Sequence, residues 1–336
     1  MTESTSVAEL MRLVNAFQIS QAIYVAATVG IADHLAHGPR SSDELAGKTA
    51  TDAGALYRLL RTLAAAGVLH EDNAKRFALT PLGACLKSDA PAPVGPWAML
   101  IGRPNYWQAW GSLLHSVRTG ENAFRHVHGA SVWEYRLQNA EEGQLFDAAM
   151  TVLSRQSTKA IVEAYDFGKF RRVVDVGGGH GVVLAAILTT SPSLRGVLFD
   201  QPHVVAKAGS AFQSAGVADR CTIEGGNFFE TVPQGGDAYF LKSILHDWSD
   251  AEAMQILRVC RAAIRDSGRL ILAEQVIEPP NEGLIGKMSD INMLVVQNGR
   301  ERTVEEFAEL LGSAGFALAS RIPTASNLNI LEGVPV

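Results

Sequence analysis

A glycine-rich turn and an acid further along the chain have the residue types and spacing of a nucleoside site. The turn Gly177-Gly178-Gly179-His180-Gly181 follows the apolar run Val173 to Val176. Glycines at such a turn let the backbone approach a ligand closely. The next apolar run ends at Asp200, whose carboxylate can accept hydrogen bonds from both hydroxyls of a ribose. Either feature alone is common in tight turns and helix caps, but together they indicate an adenosine-type ligand.

A dinucleotide cofactor is the main competing interpretation of this turn. The pattern G-x-G-x-x-G needs a glycine at position 182 when counted from Gly177, or at position 184 when counted from Gly179. Val182 and Leu184 stand at those positions. The spacing therefore argues against NAD.

The second candidate for chemistry is the histidine of His246-Asp247-Trp248. It follows a predicted strand, Ala238 to Leu241, and precedes a helix that Ser249 and Glu252 can cap. Ligands of open α/β sheets bind at the carboxyl ends of the strands. A histidine, whose ordinary pKa is about 6.5, is a suitable base at that edge. The alternative interpretation is a histidine in a surface loop.

The elements that must position these residues alternate between strands and helices from Arg171 onward. This alternation predicts an α/β fold with a doubly wound, mostly parallel sheet and helices on both faces. We expect the last strands to pair antiparallel. The predicted strands are Arg172 to Val176, Gly196 to Phe199, Cys221 to Glu224, Ala238 to Leu241, Arg269 to Glu274, Ala317 to Ile322 and Leu328 to Leu331.

The chain before this domain is predicted to be largely helical. Up to about residue 95, a capping box at Ser41 to Glu44, a second helix capped by Asp52 and two short strands after Gly67 predict a winged helix. The proline-rich segment 90–96 is a plausible boundary. Residues 97 to about 167 predict helices with many large side chains; their density suits a flat apolar ligand, although ordinary core packing is the simpler explanation for each.

The charge pattern disfavours nucleic acid as a partner. From Met1 to Pro96 the chain carries eight Lys and Arg against nine Asp and Glu, and its overall net charge is −6. A DNA-binding winged helix needs a basic surface. We therefore expect dimerisation or packing from this unit, and a small molecule rather than nucleic acid or a membrane as the partner.

Composition indicates a globular protein. The chain is 47% hydrophobic and 19% charged, and its 336 residues are enough for two domains. Cys85, Cys221 and Cys260 are far apart, and the apolar stretch Ala22 to Ala32 is too short to span a bilayer. We predict a cytoplasmic protein with no disulfide framework, targeting segment or transmembrane segment.

At these motifs the chain resembles the class I S-adenosylmethionine-dependent methyltransferases, and more narrowly the O-methyltransferases of the caffeate and plant type with their bacterial natural-product relatives. The resemblance covers nearly the whole chain. It implies a winged-helix dimerisation domain at residues 1–95, a Rossmann-like methyltransferase domain at 96–336 that includes a helical substrate-binding segment at about 97–167, and a homodimer. The motifs that carry it are Asp175-Val-Gly-Gly-Gly-His-Gly181, Phe199-Asp200-Gln-Pro-His203, Leu241-Lys242-Ser-Ile-Leu-His246-Asp247-Trp248-Ser249-Asp250 and Gly299-Arg-Glu301-Arg-Thr303.

By resemblance, five positions are expected to bind S-adenosylmethionine. Gly177 faces its methionine part, Asp200 binds its ribose, Asn227 and Phe228 flank its adenine, and Lys242 lines the same pocket. The family usually has Asp where this chain has Asn227. The Asn amide oxygen can still accept a hydrogen bond from the adenine amino group.

The resemblance also assigns the reaction centre. The general base falls on His246 and its flanking carboxylates on Glu274 and Glu301, while Met150 and Met293 match positions that clamp a planar acceptor. A carboxylate beside an imidazole fixes its tautomer and stabilises the imidazolium. Each glutamate taken separately is more often a solvated charge, and each methionine is nearly as well explained by core packing. We predict no metal site, since a histidine base needs none.

These features predict methyl transfer to a hydroxyl of an aromatic or polyketide-like small molecule. A phenol with a pKa of about 10 is mostly neutral at pH 7, so the reaction needs a base that removes its proton. Two alternatives stay open: N-methylation or cofactor-assisted hydroxylation on the same fold, and a winged-helix DNA-binding regulator. The near-neutral winged helix disfavours the regulator, and His246 with its two glutamates favours O-methylation.

Overall fold

The structure of the protein is a computed structural model that describes residues 3–336. The described chain separates into two compact units. The first comprises residues up to Trp107 together with Glu141–Val152, and the second comprises Gln108–Ala140 and Leu153–Val336. The domain boundary predicted at residues 95 and 96 stays a prediction, and the first two residues of the predicted domain 1–95 lie outside the described part.

The first unit contains the predicted helices and a small antiparallel sheet in the order β1-β3-β2. Ser41 and Glu44 form the expected capping box, and Asp52 caps the next helix through the amide of Ala55. Leu56, Leu60 and Leu63 are buried on one face of that helix. Its elements begin with α1 (Glu3–Val14), α2 (Ala16–Thr28), α3 (Ile31–His34), β1 (Arg40–Ser41), α4 (Ser42–Thr49), α5 (Ala53–Ala65), β2 (Leu69–Glu71), β3 (Arg76–Leu79), α6 (Pro81–Ala84) and α7 (Gly95–Gly102).

Helices also form most of residues 104–164, as predicted for residues 97 to about 167. One of them, α12, is 25 residues long and is divided between the two units near residue 153. Ser131 and Glu134 form a capping box on the helix before it. The helices are α8 (Pro104–Gly111), α9 (Leu113–Thr119), α10 (Ala123–His128), α11 (Val132–Gln138) and α12 (Ala140–Ala164).

The second unit is built on a seven-stranded sheet in the order β6-β5-β4-β7-β8-β10-β9. The first five strands in that order pair parallel, whereas β10 pairs antiparallel with both β8 and β9. This confirms the doubly wound sheet and its antiparallel end. The strands are β4 (Arg172–Val176), β5 (Arg195–Asp200), β6 (Cys221–Gly225), β7 (Ala238–Lys242), β8 (Arg269–Glu274), β9 (Phe316–Pro323) and β10 (Asn329–Pro335).

Helices cover both faces of this sheet because consecutive residues of its central strands are apolar, which makes both faces apolar. Val174, Tyr239 and Leu272 belong to one core, which includes side chains of the helices 250–263 and 304–313. Val173, Phe240 and Ile271 belong to the opposite core. Side chains of a strand point to opposite faces in turn, and a parallel sheet is usually buried on both faces. The helices are α13 (Val182–Thr190), α14 (Pro202–Val205), α15 (Gly209–Ser214), α16 (Asp250–Ala263), α17 (Leu284–Asn292) and α18 (Val304–Ser313).

The chain reverses its direction of winding at β4, since β5 and β6 lie on one side of that strand and β7 and β8 on the other. Such a switch point leaves a crevice at the carboxyl ends of the strands. The predicted cofactor turn follows β4, and the segment with His246 follows β7. Among the described residues, none of the helices has the length and apolar character needed to cross a membrane.

Candidate active site

His246 lies in a 3-10 turn, Leu245–Asp247, which begins three residues after the end of β7. Its Nδ1 is 2.8 Å from Oε1 of Glu301. The side chain of Glu301 is fully buried and that of His246 is 14% exposed. A carboxylate at Nδ1 selects the tautomer with the proton on that nitrogen and leaves Nε2 as the acceptor. Nε2 is 3.7 Å from Oδ1 of Asp247, so the accepting nitrogen has a second acid beside it.

Charge determines the proton affinity of this imidazole. Burial alone would lower the pKa of His246, but the carboxylates of Glu301 and Asp247 outweigh it and raise that pKa to about 10. The carboxylates stabilise the imidazolium, which is the state a general base reaches after it accepts a proton. The site therefore favours a protonated imidazole.

Glu274, the second predicted carboxylate, contacts the backbone and makes no hydrogen bond with the imidazole. It ends β8, and its Oε1 accepts hydrogen bonds from the amides of Ile244 and Leu245, at 3.0 and 2.9 Å. Burial raises the pKa of Glu274 to about 7, although His246 acts in the opposite direction. Glu274 thus holds the segment that carries the histidine.

Two side chains on α17 hold Glu301. The hydroxyl of Ser289 donates to Oε1 of Glu301 at 2.7 Å, and Oδ1 of Asp290 accepts from the Glu301 amide at 2.9 Å. Sequence reasoning missed both residues. Their contacts cross from a helix to a loop eleven and twelve residues away, and the motif pattern around Gly299 gave no signal for them.

His246, Glu274 and Glu301 are also the one group of three potential metal ligands found among residues 3–336, with ligand atoms within 4.8 Å of one another. Nitrogen and carboxylate oxygen are ligands of zinc. In the structure, however, the facing atoms of His246 and Glu301 bind each other, and Oε1 of Glu274 binds two amides. The absence of a metal from this site stays a prediction.

The glycine turn after β4 packs closely against the segment before His246. Gly177 has a φ of +72°, and a Cβ there would overlap Cδ1 of Ile244, which belongs to the segment before His246. The amide of Gly179 donates to Oδ2 of Asp200 at 2.8 Å. Turn, acid and histidine segment are therefore assembled at one edge of the sheet. Ile244 is a further residue that sequence reasoning missed.

The remaining predicted cofactor residues surround this edge. Phe228 follows β6, and its ring lies 3.6 Å from where a Cβ of Gly177 would be. Asn227 is exposed; its Oδ1 accepts from the amide of Phe229, and its Nδ2 donates to Glu230. Lys242 ends β7 and donates to Oγ of Ser154 at 3.3 Å, and burial lowers its pKa.

The two predicted acceptor-binding methionines lie in different surroundings. Met150 is half-buried on α12, in the first unit. Met293 is buried at the start of a π-helical turn, Met293–Gln297, in the second unit. Near the histidine segment, Trp248 stacks on Trp133 with ring centroids 5.5 Å apart. These two rings form a flat aromatic surface beside the histidine segment.

The structure thus groups a histidine and glutamate pair, a glycine turn and an acid at the carboxyl edge of the sheet, where ligands of open α/β sheets bind. Two sequence profiles match the chain: an O-methyltransferase domain at residues 110–317 and an O-methyltransferase dimerisation domain at residues 11–89. The chain belongs to this O-methyltransferase family. It is therefore a methyltransferase that depends on S-adenosylmethionine, as its sequence predicted.

Individual relatives agree with this assignment. The phenazine O-methyltransferase PhzM of Lysobacter antibioticus is 43% identical over 97% of this chain and 96% of its own. The crystal structure of LaPhzM matches with a TM-score of 0.95 at 42% identity, covering 100% of both chains. An O-methyltransferase from neocarzinostatin biosynthesis, solved with S-adenosylmethionine and 2-hydroxy-5-methyl naphthoic acid, matches with a TM-score of 0.82 at 32% identity over 95% of this chain and 96% of its own.

Proposed function

We propose that this O-methyltransferase methylates a hydroxyl on a planar aromatic acceptor, with His246 as the general base. The observation that carries the proposal is the 2.8 Å contact between Nδ1 of His246 and the buried Glu301, next to the glycine turn. The relatives named for phenazine and solved with a naphthoic acid support an aromatic acceptor. Trp248 and Trp133 provide a flat apolar surface near the base.

The carboxyl edge of the sheet fits S-adenosylmethionine. A Cβ at Gly179 would meet no protein atom within 4 Å, so the turn is open there, and the carboxylate of Asp200 stands at the end of the neighbouring strand. When bound, this cofactor supplies a methyl group on a positively charged sulfur. Gly177 and Asp200 would hold its methionine and ribose parts, and Phe228 would pack on its adenine. Asn227 keeps one oxygen lone pair for the adenine amino group, because its Oδ1 accepts one internal hydrogen bond.

The protein's own residues then prepare the acceptor. His246 takes the hydroxyl proton on Nε2, and Glu301 stabilises the imidazolium through Nδ1. Glu274 fixes the backbone before the histidine, so that Nε2 keeps its direction. General-base help of this kind contributes about 10²- to 10⁴-fold to the rate, while alignment of the reactants contributes more.

Transfer of label tests this proposal. The protein is incubated with S-adenosylmethionine labelled in its methyl group and a panel of hydroxylated and aminated aromatics, and each product is identified by mass spectrometry. We expect label on a hydroxyl oxygen. Label on nitrogen, or hydroxylated product without label, would replace O-methylation with one of the other chemistries.

A variant pair tests the base. We expect His246→Ala to lower kcat by about 10²- to 10⁴-fold while the Kd for S-adenosylmethionine, measured by calorimetry, stays within about twofold. His126→Ala is the matched control, since His126 is exposed on α10 and stacks on His115. Wild-type kcat in His246→Ala would remove the histidine from this role.

The dimerisation domain makes a homodimer the expected assembly. A cytoplasmic location is also proposed, because Cys85, Cys221 and Cys260 are free thiols in the structure and a reducing compartment keeps thiols in that state.

A further inference from the structure

Arg302 is the largest fully buried side chain of the described residues, with 1% of its surface exposed. Its guanidinium makes five close contacts. Nε and Nη2 bind Oδ1 of Asp250, at 2.9 and 2.8 Å. Nη1 donates to the carbonyls of Leu245 and Arg300, and Nη2 donates to the carbonyl of Trp248. A guanidinium has five N–H donors, and four of these contacts are hydrogen bonds that it donates.

Two of those carbonyls lie on either side of His246. We call residues 244–248 the base segment. Arg302 holds its carbonyls at Leu245 and Trp248, at 2.9 and 3.1 Å, and the amide of Arg300 donates to the carbonyl of His246 at 2.9 Å. Glu274 holds the amides at its other end. The base segment is therefore fixed by its carbonyls from one side and by its amides from the other.

The chain around Arg302 is itself held in place. Arg302 forms a parallel bridge with Val276, just beyond β8, and its carbonyl accepts from the amide of Ile277 at 2.9 Å. Gly299 packs directly on the backbone of the base segment, because a Cβ there would overlap the His246 carbonyl oxygen. Glu301, which binds the imidazole, lies between these anchored positions. One short stretch thus fixes both the ring and the backbone of the histidine.

We propose that Arg302 is a positioning residue for the methyl-transfer reaction: it aims Nε2 of His246 at the acceptor by holding the base segment through its carbonyls. This inference rests on the proposed role of His246. A planar fork suits two carbonyls and a carboxylate at once, whereas the ammonium of lysine offers a single charged centre. If Arg302 only balanced the charge of Asp250, a lysine could replace it. If Arg302 positions the base segment, a lysine cannot, because it lacks the fork.

The test compares Arg302→Lys with Arg258→Lys, a matched change at an exposed arginine of α16. A displacement of about 1 Å in a catalytic group costs up to about 100-fold in rate. We expect Arg302→Lys to lower kcat by about 10- to 100-fold, with the KM for the acceptor and the Kd for S-adenosylmethionine within about threefold. We also expect the acid limb of its pH profile to move to lower pH, as the imidazole loses its register with Glu301. Arg258→Lys should leave all four quantities unchanged.

A double-mutant comparison isolates the route of the effect. If Arg302 acts through the histidine, adding Arg302→Lys to the His246→Ala variant lowers kcat only slightly further. An equal loss in both backgrounds, or an unchanged kcat and acid limb in Arg302→Lys, overturns the inference. Wild-type activity in His246→Ala alone would instead refute the proposed base.

A second variant covers the case in which Arg302→Lys does not fold. Asp250→Asn removes the charge of the carboxylate that supports two guanidinium nitrogens, yet Asp250 is 56% exposed and its loss leaves the carbonyl contacts in place. We expect kcat to fall about two- to tenfold, with the same direction of pH shift, since a hydrogen bond to a charged group contributes less when the charged group is exposed. Unchanged kcat and pH dependence in folded Asp250→Asn would contradict the positioning role.

Discussion

Replacing Glu301 with glutamine changes the charge next to His246 while keeping nearly the same shape. The carboxylate is fully buried and its Oε1 lies 2.8 Å from Nδ1 of the histidine. Its charge is one of the reasons why the pKa of His246 is raised to about 10. Glu301→Gln therefore lowers that pKa, because the neutral amide stabilises the imidazolium less.

The size of the shift follows from the strength of the contact. A hydrogen bond to a charged group contributes about 1.5–3 kcal/mol, and one pKa unit corresponds to about 1.36 kcal/mol. The pKa of His246 should fall by about one to two units. The same interaction stabilises the imidazolium formed during proton transfer, so its loss lowers the rate of the deprotonated enzyme by about 10- to 150-fold.

The two effects have opposite consequences along the pH axis. In the acid limb the rate is the product of the deprotonated fraction and the rate of that form. Because Glu301→Gln raises the first and lowers the second by similar factors, the variant and parent should converge at low pH and separate at high pH. The acid inflection of kcat/KM should move down by about one to two units.

The assay measures kcat/KM from pH 6 to about pH 10.5 with one acceptor, so that titration of the acceptor affects both proteins equally. Glu305→Gln is the matched control, because Glu305 is exposed in the first turn of α18. A uniform loss of rate at every pH, with the inflection in place, would refute the electrostatic role given to Glu301.

Three further predictions concern neighbouring groups. Glu274→Gln keeps an oxygen for the two amides but removes a carboxyl whose pKa is raised from 4.5 to about 7. The stability that this carboxyl contributes is present below pH 4.5 and is lost as the pH rises through 7. The Tm of the variant should therefore increase relative to the Tm of the parent more at pH 8 than at pH 5. A difference that does not grow with pH in differential scanning fluorimetry would contradict this. Asp200→Asn should weaken S-adenosylmethionine binding by about 10- to 150-fold, from the loss of charged hydrogen bonds worth about 1.5–3 kcal/mol, and calorimetry with unchanged Kd would exclude Asp200 from the ribose site. Removal of divalent ions with a chelator should leave kcat unchanged, whereas loss of activity that zinc restores would make His246, Glu274 and Glu301 metal ligands.

Local sequence signals predicted the elements well. The capping pairs Ser41 with Glu44 and Ser249 with Glu252 form as expected, because each lies within one turn of chain. The apolar runs placed β4 and β8 at the residues where the structure has them, and most other strands differ by one or two residues at their ends. Burial on both sides of a parallel sheet makes such runs easy to recognise.

Contacts between distant segments were predictable only in part. The resemblance brought His246 and Glu301 together across 55 positions, and the structure gives that contact its geometry. It also named Glu274, but the composition of the motif could not show that its carboxylate binds backbone amides. The support from Ser289 and Arg302 depends on how α17 and the chain after it return to the base segment, and no periodicity in the sequence encodes that path.

The close packing of Gly299 on the His246 carbonyl has a consequence for redesign of the enzyme. A library that aims at new acceptors should keep glycine at this position, since even alanine would push the base segment away from its anchors. Leu284, Ile285 and Met288 on α17 are exposed, and they offer sites for variation on the helix that supports Glu301. The contact between the backbones of residues 299 and 246 thus sets a distance between these two segments that an engineered variant must keep, whichever aromatic acceptor it binds.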